Sequence, residues 1–154
     1  MPIKSARGDL LALAKRGDFD VVVQGCNCFH GFGSGIAAQI KRDYPSAWDA
    51  DKQTPKGDRN KLGTFSFADV SSPAGGFVIV NAYTQFRGGR AETPLVDYDA
   101  VRACMKAIKA AYPGKRLGLP KIGAGAAGGD WNVIKQILDD ELGDVDATVV
   151  EYAP

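Results

Sequence analysis

The sequence has few of the residues that most often bind metals or form disulfides, with one histidine and three cysteines among 154 residues. The cysteine number is odd, and Cys26-Asn27-Cys28 is not the spacing of a secreted disulfide framework. Cys26, Cys28 and His30 offer three possible zinc ligands, whereas a structural zinc site normally needs four. We therefore expect no metal and no other cofactor, and we interpret the cysteines as small buried hydrophobic residues.

An excess of one charge and long apolar runs are also missing. The net charge is +1 and 45% of the residues are apolar, which argues against a basic nucleic-acid footprint and against disorder. No stretch approaches the roughly 20 apolar residues of a membrane span, and charged residues at positions 15, 16 and 18 interrupt any signal-peptide pattern. The sequence predicts one domain over residues 1–154, cytoplasmic and monomeric, with neither membrane nor nucleic acid as a partner.

Glycine is abundant instead. The 19 glycines make up about 12% of the chain, against a usual level of roughly 7%. Eight of them fall in two short windows, each of which follows an apolar run and precedes a helical pattern. The first window holds Gly25, Gly31, Gly33 and Gly35, and the second holds Gly123, Gly125, Gly128 and Gly129.

Apolar runs and helical spacings alternate along the chain. Strands are predicted at 20–23, 65–70, 77–80, 117–122 and 148–150, with a short edge strand from Ile3. Helices are predicted at 10–14, from 36, at 101–112 and at 131–142, while 49–61 and 86–93 are predicted as a surface loop or ragged helix end and a loop. This order indicates an α/β fold with a largely parallel sheet covered on both faces.

The two glycine windows predict an anion site. Ligands of α/β sheets bind at the carboxyl ends of strands, where glycines let the backbone approach a phosphate and helix N-terminal amides face the anion. The alternative is that both windows are ordinary tight turns. The stretch from Gly123 to Gly128 matches the dinucleotide fingerprint, but only one further strand fits before the end of the sequence, so we reject a dinucleotide-binding enzyme. No lysine follows either window as a P-loop requires.

Four polar residues are candidates for chemistry in these windows. We predict His30 and Asp130 as catalytic, because a histidine or a carboxylate can activate water, although His30 can also merely pack and Asp130 is also a typical helix N-cap. Asp9 is either another N-cap or an acceptor for the amino group of a base. Ser34 is interpreted as a phosphate donor, since no nucleophile elbow supports a Ser–His pair.

Six motifs together resemble the macrodomain family, and the resemblance runs from about Ile3 to Tyr152. These are Gly8-Asp9-Leu10, Gln24-Gly25-Cys26-Asn27-Cys28, Gly33-Ser34-Gly35-Ile36-Ala37, Leu119-Pro120-Lys121-Ile122-Gly123-Ala124-Gly125, Gly129-Asp130-Trp131 and Val149-Val150-Glu151-Tyr152. The Cys-Asn-Cys, Gly-Ser-Gly-Ile-Ala and Gly-Asp-Trp forms of these motifs most resemble phage and bacterial relatives of the yeast ADP-ribose 1″-phosphate phosphatase. The resemblance implies a three-layer α/β/α sandwich with a mixed, mostly parallel sheet, and an ADP-ribose cleft.

The resemblance also implies roles for individual residues. Asp9 would contact the adenine amino group with Tyr152 packed nearby, Asn27 would bind the distal ribose, and the glycine windows would hold the diphosphate. The full set of predicted binding residues is Asp9, Leu10, Asn27, Gly33, Ser34, Gly35, Ile36, Ile122, Gly123, Gly125, Ala126, Ala127, Gly128 and Tyr152.

The expected activity is hydrolysis of ADP-ribose 1″-phosphate to ADP-ribose and phosphate. The alternatives are removal of ADP-ribose from a modified protein or nucleic acid, and non-catalytic recognition of ADP-ribose. Macrodomains that cleave terminal ADP-ribose from glutamate carry a lysine and an aspartate at the positions of Gln85 and Ala127 here, so covalent lysine chemistry is not expected.

Overall fold

The computed structural model describes residues 2–89 and 93–153, and it contains six strands and five α-helices. The strands are β1 (Lys4–Gly8), β2 (Val21–Cys26), β3 (Phe65–Val70), β4 (Phe77–Tyr83), β5 (Leu117–Leu119) and β6 (Ala147–Tyr152). The helices are α1 (Leu10–Lys15), α2 (Gly35–Asp43), α3 (Pro45–Lys52), α4 (Tyr98–Ala111) and α5 (Trp131–Leu142), and a 3-10 turn spans Arg59–Lys61.

The strands form one mixed sheet in the order β1-β6-β5-β2-β4-β3. Every neighbouring pair is parallel except β3 and β4, which form an antiparallel pair at one edge. The predicted α/β fold with a mixed, mostly parallel sheet is confirmed.

Alternation along β2 divides the core into two layers. Val21 and Val23 face a cluster that includes the apolar sides of α4 and α5, whereas Val22 and Cys26 face a cluster built with α1, α2 and α3. Side chains of a strand point alternately to the two faces of the sheet, so a strand that is apolar at every position is buried on both sides. The result is the α/β/α sandwich that the resemblance implies.

The sequence pattern does not predict helix α3, because α3 is mostly polar and only Ala47 and Asp51 are buried. The stretch 49–61 is predicted as a surface loop or ragged helix end, and the end of α3 at Lys52 falls within it. Pro45 occupies the first helical turn, where its missing amide costs nothing, and Ala47 is buried in the core. The strand β5 ends at Leu119 rather than at Ile122, since the residues after it turn into the second glycine window.

Part of the predicted loop 86–93 lies outside the described residues. Within those described ranges, no helix is long and apolar enough to cross a bilayer.

An ion pair joins the beginnings of β2 and β5 and makes a prediction about acid stability. Arg116 donates to Asp20 through its guanidinium at 2.9 and 3.1 Å and through its backbone amide at 2.8 Å. The guanidinium hydrogen bonds, followed by the amide, lower the pKa of Asp20 to about 2. Because the folded pKa lies below the unfolded value of roughly 4, the pair stabilises the fold above that value and loses its effect as the pH falls through about 2.

Asp20→Asn should therefore lower the free energy of unfolding by roughly 0.5–1 kcal/mol at pH 7, a small effect because both side chains are partly exposed to solvent. Urea denaturation of both proteins at pH 7 and at pH 2 measures this, and the difference should disappear at pH 2. Asp69→Asn on β3 is the control, since Asp69 forms no ion pair within the described residues. A difference that persists at pH 2 contradicts the assignment.

Candidate ligand-binding cleft

A cleft of about 710 Å³ opens at the carboxyl ends of the central strands β2, β4 and β5. This is the edge of an open α/β sheet at which ligands bind, and the volume is that of an ordinary ligand pocket. Its lining comes from the first glycine window, the segment after β4 and the second glycine window. The lining residues are Gln24, Gly25, Cys26, Asn27, Gly31, Gly33, Ser34, Gly35, Ile36, Ala37, Gln85, Gly88, Gly89, Pro120, Lys121, Ile122, Gly123, Gly125, Ala126 and Ala127.

Asn27 organises the first loop of the cleft. Its side-chain Oδ1 accepts from the amides of Phe29 at 2.8 Å and Gly31 at 3.3 Å, while its Nδ2 donates to the Gly31 carbonyl at 3.1 Å. These bonds fold the loop back on itself, as asparagine commonly does in turns. Gly88, after β4, approaches so closely that a Cβ there would lie 2.9 Å from Asn27 Nδ2. The amide is thus fixed where the loops from β2 and β4 meet.

The N-terminus of α2 opens onto the cleft without a side-chain cap. Ser34 occupies the N-cap position, yet its hydroxyl makes no cap hydrogen bond, whereas aspartate side chains cap α1, α4 and α5. The first amides of a helix carry partial positive charge and need acceptors. A Cβ placed at Gly33 or Gly35 would meet no atom within 4 Å, so the space in front of these amides is open. The arrangement suits an anionic ligand.

The second loop is held by its own backbone. Gly128 donates to the Gly125 carbonyl at 3.0 Å, and Gly129 donates to the Gly123 carbonyl at 2.8 Å. The Ala127 carbonyl accepts from the Leu95 amide at 2.7 Å, which ties the loop to the segment that leads into α4. Gly125 faces open space, while a Cβ at Gly129 would meet the Gly123 carbonyl at 2.6 Å. The loop therefore presents peptide groups rather than side chains to the cleft.

Charge in the cleft favours an anion. Among the described lining residues, Lys121 carries the only charge, and no carboxylate lines the wall. A diphosphate in this space would meet amides and small apolar groups, with no carboxylate from those residues to repel it, while the Lys121 ammonium lies 5.3 Å from the ring centroid of Trp131.

The cysteines at the cleft are not nucleophiles. Burial is the largest cause that raises the pKa of the Cys26 thiol well above its ordinary value, and burial also raises that of Cys28. Burial raises the pKa of Cys104 to about 12. The thiolate is the reactive form, so these thiols stay protonated and inert at neutral pH. All three are buried, as the sequence predicts, and no cluster of three or more potential metal ligands occurs in residues 2–89 and 93–153.

His30 lies in the first loop but does not line the cleft. Its ring Nε2 is 2.8 Å from the Thr54 carbonyl, and its own carbonyl accepts from Trp48 Nε1 at 3.1 Å. It adopts a left-handed backbone conformation with φ of 64°. These contacts anchor the loop on the end of α3, so the position of the ring matches the packing role left open by the sequence.

Asp130 and Asp9 are helix caps in the structure. Asp130 Oδ1 accepts from the Asn132 amide at 2.9 Å, and Asp9 Oδ1 accepts from the Ala12 amide at 3.1 Å. Neither side chain is among the described lining residues, and Asp9 instead borders a second groove between α1, α2 and the β3–β4 connection. A capping carboxylate keeps free lone pairs, so contact with a bound ligand stays a prediction for both.

The remaining predicted binding residues divide between the cleft and its surroundings. Ten line it: Asn27, Gly33, Ser34, Gly35, Ile36, Ile122, Gly123, Gly125, Ala126 and Ala127. Leu10 is buried in the core on the α1 side, Gly128 belongs to the second loop but is not among the lining residues, and Tyr152 is 67% exposed at the end of β6.

The sequence missed a buried polar row behind the cleft. Gln24, Asn81 and Ser66 stand opposite one another on β2, β4 and β3. Gln24 Nε2 donates to Asn81 Oδ1 at 2.9 Å, and Asn81 Nδ2 donates to Ser66 Oγ at 3.0 Å. The row continues to the Tyr83 hydroxyl at 2.8 Å, which donates to Asp51 Oδ1 at 2.6 Å. Only strand pairing brings these side chains together, so no local pattern reveals them.

Three solved structures illustrate the proteins that share this fold. A protein of unknown function from Bacteroides thetaiotaomicron is 27% identical with a TM-score of 0.78, over 98% of this chain and 98% of that one. The macrodomain of Mycobacterium tuberculosis DarG is 27% identical with a TM-score of 0.72, over 99% of this chain and 97% of that one. Thermosipho africanus DarTG in complex with ADP-ribose is 16% identical with a TM-score of 0.74, over 100% of this chain and 43% of that one.

Sequence comparison finds two informative relatives. An uncharacterized 17.5 kDa protein of Enterobacteria phage T4 is 35% identical over 159 residues, which cover 100% of this chain and 99% of that protein. A DNA ADP-ribosyl glycohydrolase of Mycobacterium bovis is 31% identical over 150 residues, which cover 96% of this chain but 41% of the relative. No family model matches the chain.

Proposed function

We propose, because this chain belongs to the macrodomain family, that its cleft binds ADP-ribose and that the protein hydrolyses the bond between ADP-ribose and a modified base of DNA. The observation that carries the proposal is the uncapped N-terminus of α2, which opens between two glycine loops onto a cleft with no carboxylate among its described lining residues. The diphosphate would lie there, held by amides from both loops.

The relatives favour a glycohydrolase over a phosphatase. The mycobacterial relative is named as a DNA ADP-ribosyl glycohydrolase, and its matching region corresponds to nearly all of this chain. The expected phosphatase activity depends on His30 or Asp130, whose side chains bond to the Thr54 carbonyl and to the Asn132 amide and are not among the described lining residues. Hydrolysis of the 1″-phosphate stays a prediction, and it is one outcome of the test below.

Gln85 is the residue that we assign to the attacking water. It lines the cleft at the end of β4, and its Nε2 donates to the Arg87 carbonyl at 2.9 Å, which leaves Oε1 as an acceptor. An amide orients water without removing its proton. The oxygen of that water bonds to C1″ of the distal ribose as the bond to the base breaks, and the proton passes to the departing base. The products are ADP-ribose and the unmodified base.

Gln85→Ala should lower kcat for a DNA-linked ADP-ribosyl group roughly tenfold to thirtyfold, because the water loses its orientation while the groups that hold the diphosphate stay in place. KM should stay within about twofold. Single-turnover release of ADP-ribose measures the step, and Gln136→Ala on the exposed face of α5 is the matched control. An unchanged kcat, or a loss confined to KM, contradicts the role of Gln85.

The activity itself is tested with three substrates under the same conditions: an ADP-ribosylated oligonucleotide, an ADP-ribosylated protein and ADP-ribose 1″-phosphate. The proposal expects release of ADP-ribose from the oligonucleotide at the highest rate. If phosphate release from ADP-ribose 1″-phosphate is the main reaction, the protein is a phosphatase and not a glycohydrolase. If ADP-ribose binds but no substrate is turned over, the protein is a non-catalytic reader.

A further inference from the structure

Two aromatic residues lie beside one end of the cleft, the exposed Phe29 and the half-buried Phe86. Phe29 follows Asn27 by two positions in the first loop, and Phe86 directly follows Gln85 after β4. Both neighbours line the cleft, so the two phenylalanines lie just outside it, on the side of Asn27 and Gln85. The resemblance places the distal ribose at Asn27, and a group attached to C1″ would leave the cleft toward this side.

These aromatic rings form a packed surface with basic residues around it. The ring centroids of Phe29 and Phe86 are 5.0 Å apart in an edge arrangement, and the Arg59 guanidinium lies 3.8 Å from the Phe86 centroid. Phe29 is nevertheless 40% exposed, so part of its ring is open to solvent. We call Phe29, Lys56, Arg59, Phe86 and Arg87 the aromatic rim.

The rim is anchored rather than loose. The Gly57 amide donates to the Cys28 carbonyl at 2.7 Å, and the buried Lys61 ammonium donates to the same carbonyl at 3.3 Å. A Cβ at Gly57 would lie 3.0 Å from the Phe29 ring, so the backbone at Gly57 packs closely against that ring. A stacking surface works best when its rings are held in place before the ligand arrives.

Charge on the rim is positive although the whole chain is nearly neutral. Lys56, Arg59 and Arg87 are exposed, and none of them forms an ion pair with another described residue. Asp58 is the one carboxylate in the same segment, and its Oδ1 accepts from the Asn60 amide at 2.8 Å. Three cations against one carboxylate, beside an open aromatic ring, match the combination that binds single-stranded nucleic acid.

We infer that the aromatic rim binds the single-stranded nucleic acid that flanks the ADP-ribosylated base, with a neighbouring base stacked on Phe29 and its phosphates on Lys56, Arg59 and Arg87. The inference rests on the proposed function of the cleft and adds a second contact surface for the same substrate. It also reconciles a DNA substrate with a near-neutral chain, because the nucleic-acid contact is confined to a few residues at one end of the cleft.

The test compares affinities for free ADP-ribose and for a single-stranded oligonucleotide with one ADP-ribosylated base. Wild type should bind the oligonucleotide more tightly, and that advantage should shrink as the salt concentration rises. Phe29→Ala and Arg59→Glu should each weaken oligonucleotide binding roughly tenfold, since stacking on an aromatic side chain or a phosphate contact is lost, and leave the Kd for free ADP-ribose within about twofold.

Two controls match these changes elsewhere on the surface. Phe67→Ala removes an exposed phenylalanine on β3, and Lys106→Glu reverses an exposed charge on α4. Neither should affect the oligonucleotide. The inference is wrong if the rim variants lose as much affinity for free ADP-ribose as for the oligonucleotide, or if they lose no affinity for the oligonucleotide. It is also wrong if the rim variants weaken binding of an ADP-ribosylated peptide as much as they weaken binding of the oligonucleotide. Failure of wild type to bind ADP-ribose at all refutes the proposed function instead.

Discussion

Gly35→Glu should abolish binding of ADP-ribose, with a Kd at least roughly a hundredfold higher, because like charges brought together at a binding site cost several kcal/mol. Gly35 begins α2 at the mouth of the cleft, and a side chain there meets no protein atom within 4 Å. The carboxylate would therefore extend into the space assigned to the diphosphate. Isothermal calorimetry with ADP-ribose measures the loss.

The control for this variant is Gly114→Glu. Gly35 and Gly114 have φ values of 59° and 73°, and a Cβ at either one meets nothing within 4 Å. The backbone strain and the added charge are thus alike at the two positions, but Gly114 lies in the connection between α4 and β5. Gly114→Glu should bind ADP-ribose as wild type does. Undiminished affinity of Gly35→Glu for ADP-ribose would contradict the assignment of the diphosphate to the first loop.

Asn81→Ala should lower the free energy of unfolding by roughly 3 kcal/mol, because it leaves several buried polar groups without partners and each costs about 1–3 kcal/mol. Asn81 is fully buried at the centre of the polar row and donates to the Ala47 carbonyl and Ser66 Oγ while it accepts from Gln24. Its loss removes one side-chain hydrogen bond to each of β2, β3 and α3. Urea denaturation followed by circular dichroism measures the change.

A control of the same chemistry is Asn132→Ala, an exposed position in the first turn of α5. It should change stability by less than roughly 0.5 kcal/mol, as surface substitutions usually do. The row also supports the cleft wall through Gln24, so Asn81→Ala should weaken ADP-ribose binding as well. A loss of stability no larger than that of Asn132→Ala would mean that the row is not a structural element.

The sequence predicts the sheet well because its central strands are apolar at consecutive positions. Val21 to Val23 and the run in β4 are buried on both faces, which leaves few alternatives to a covered parallel sheet. It predicts α3 poorly, because α3 is short and only Ala47 and Asp51 are buried. Asp51 illustrates the difficulty: a buried carboxylate is bonded to Tyr83 from a strand 32 residues away, which no local pattern indicates.

The candidate site divides in the same way. The glycine windows are local, and both turn out to line one cleft, so ten of the predicted binding residues meet there. The aromatic rim depends on contacts between three separate segments, with Phe29, Arg59 and Phe86 brought together only by folding. For His30, the place among the glycines suggests chemistry and the ring bonds to the Thr54 carbonyl, so its catalytic role stays a prediction.

Calorimetric titration of the wild-type protein with ADP-ribose, and in parallel with adenosine, tests the central claim most directly. The cleft is built around a diphosphate, so ADP-ribose should bind with one site per chain and a Kd in the micromolar range, roughly −8 kcal/mol, and adenosine should bind far more weakly. Equal affinity for the two ligands, or no heat with ADP-ribose, would contradict the assignment of the glycine loops to the diphosphate.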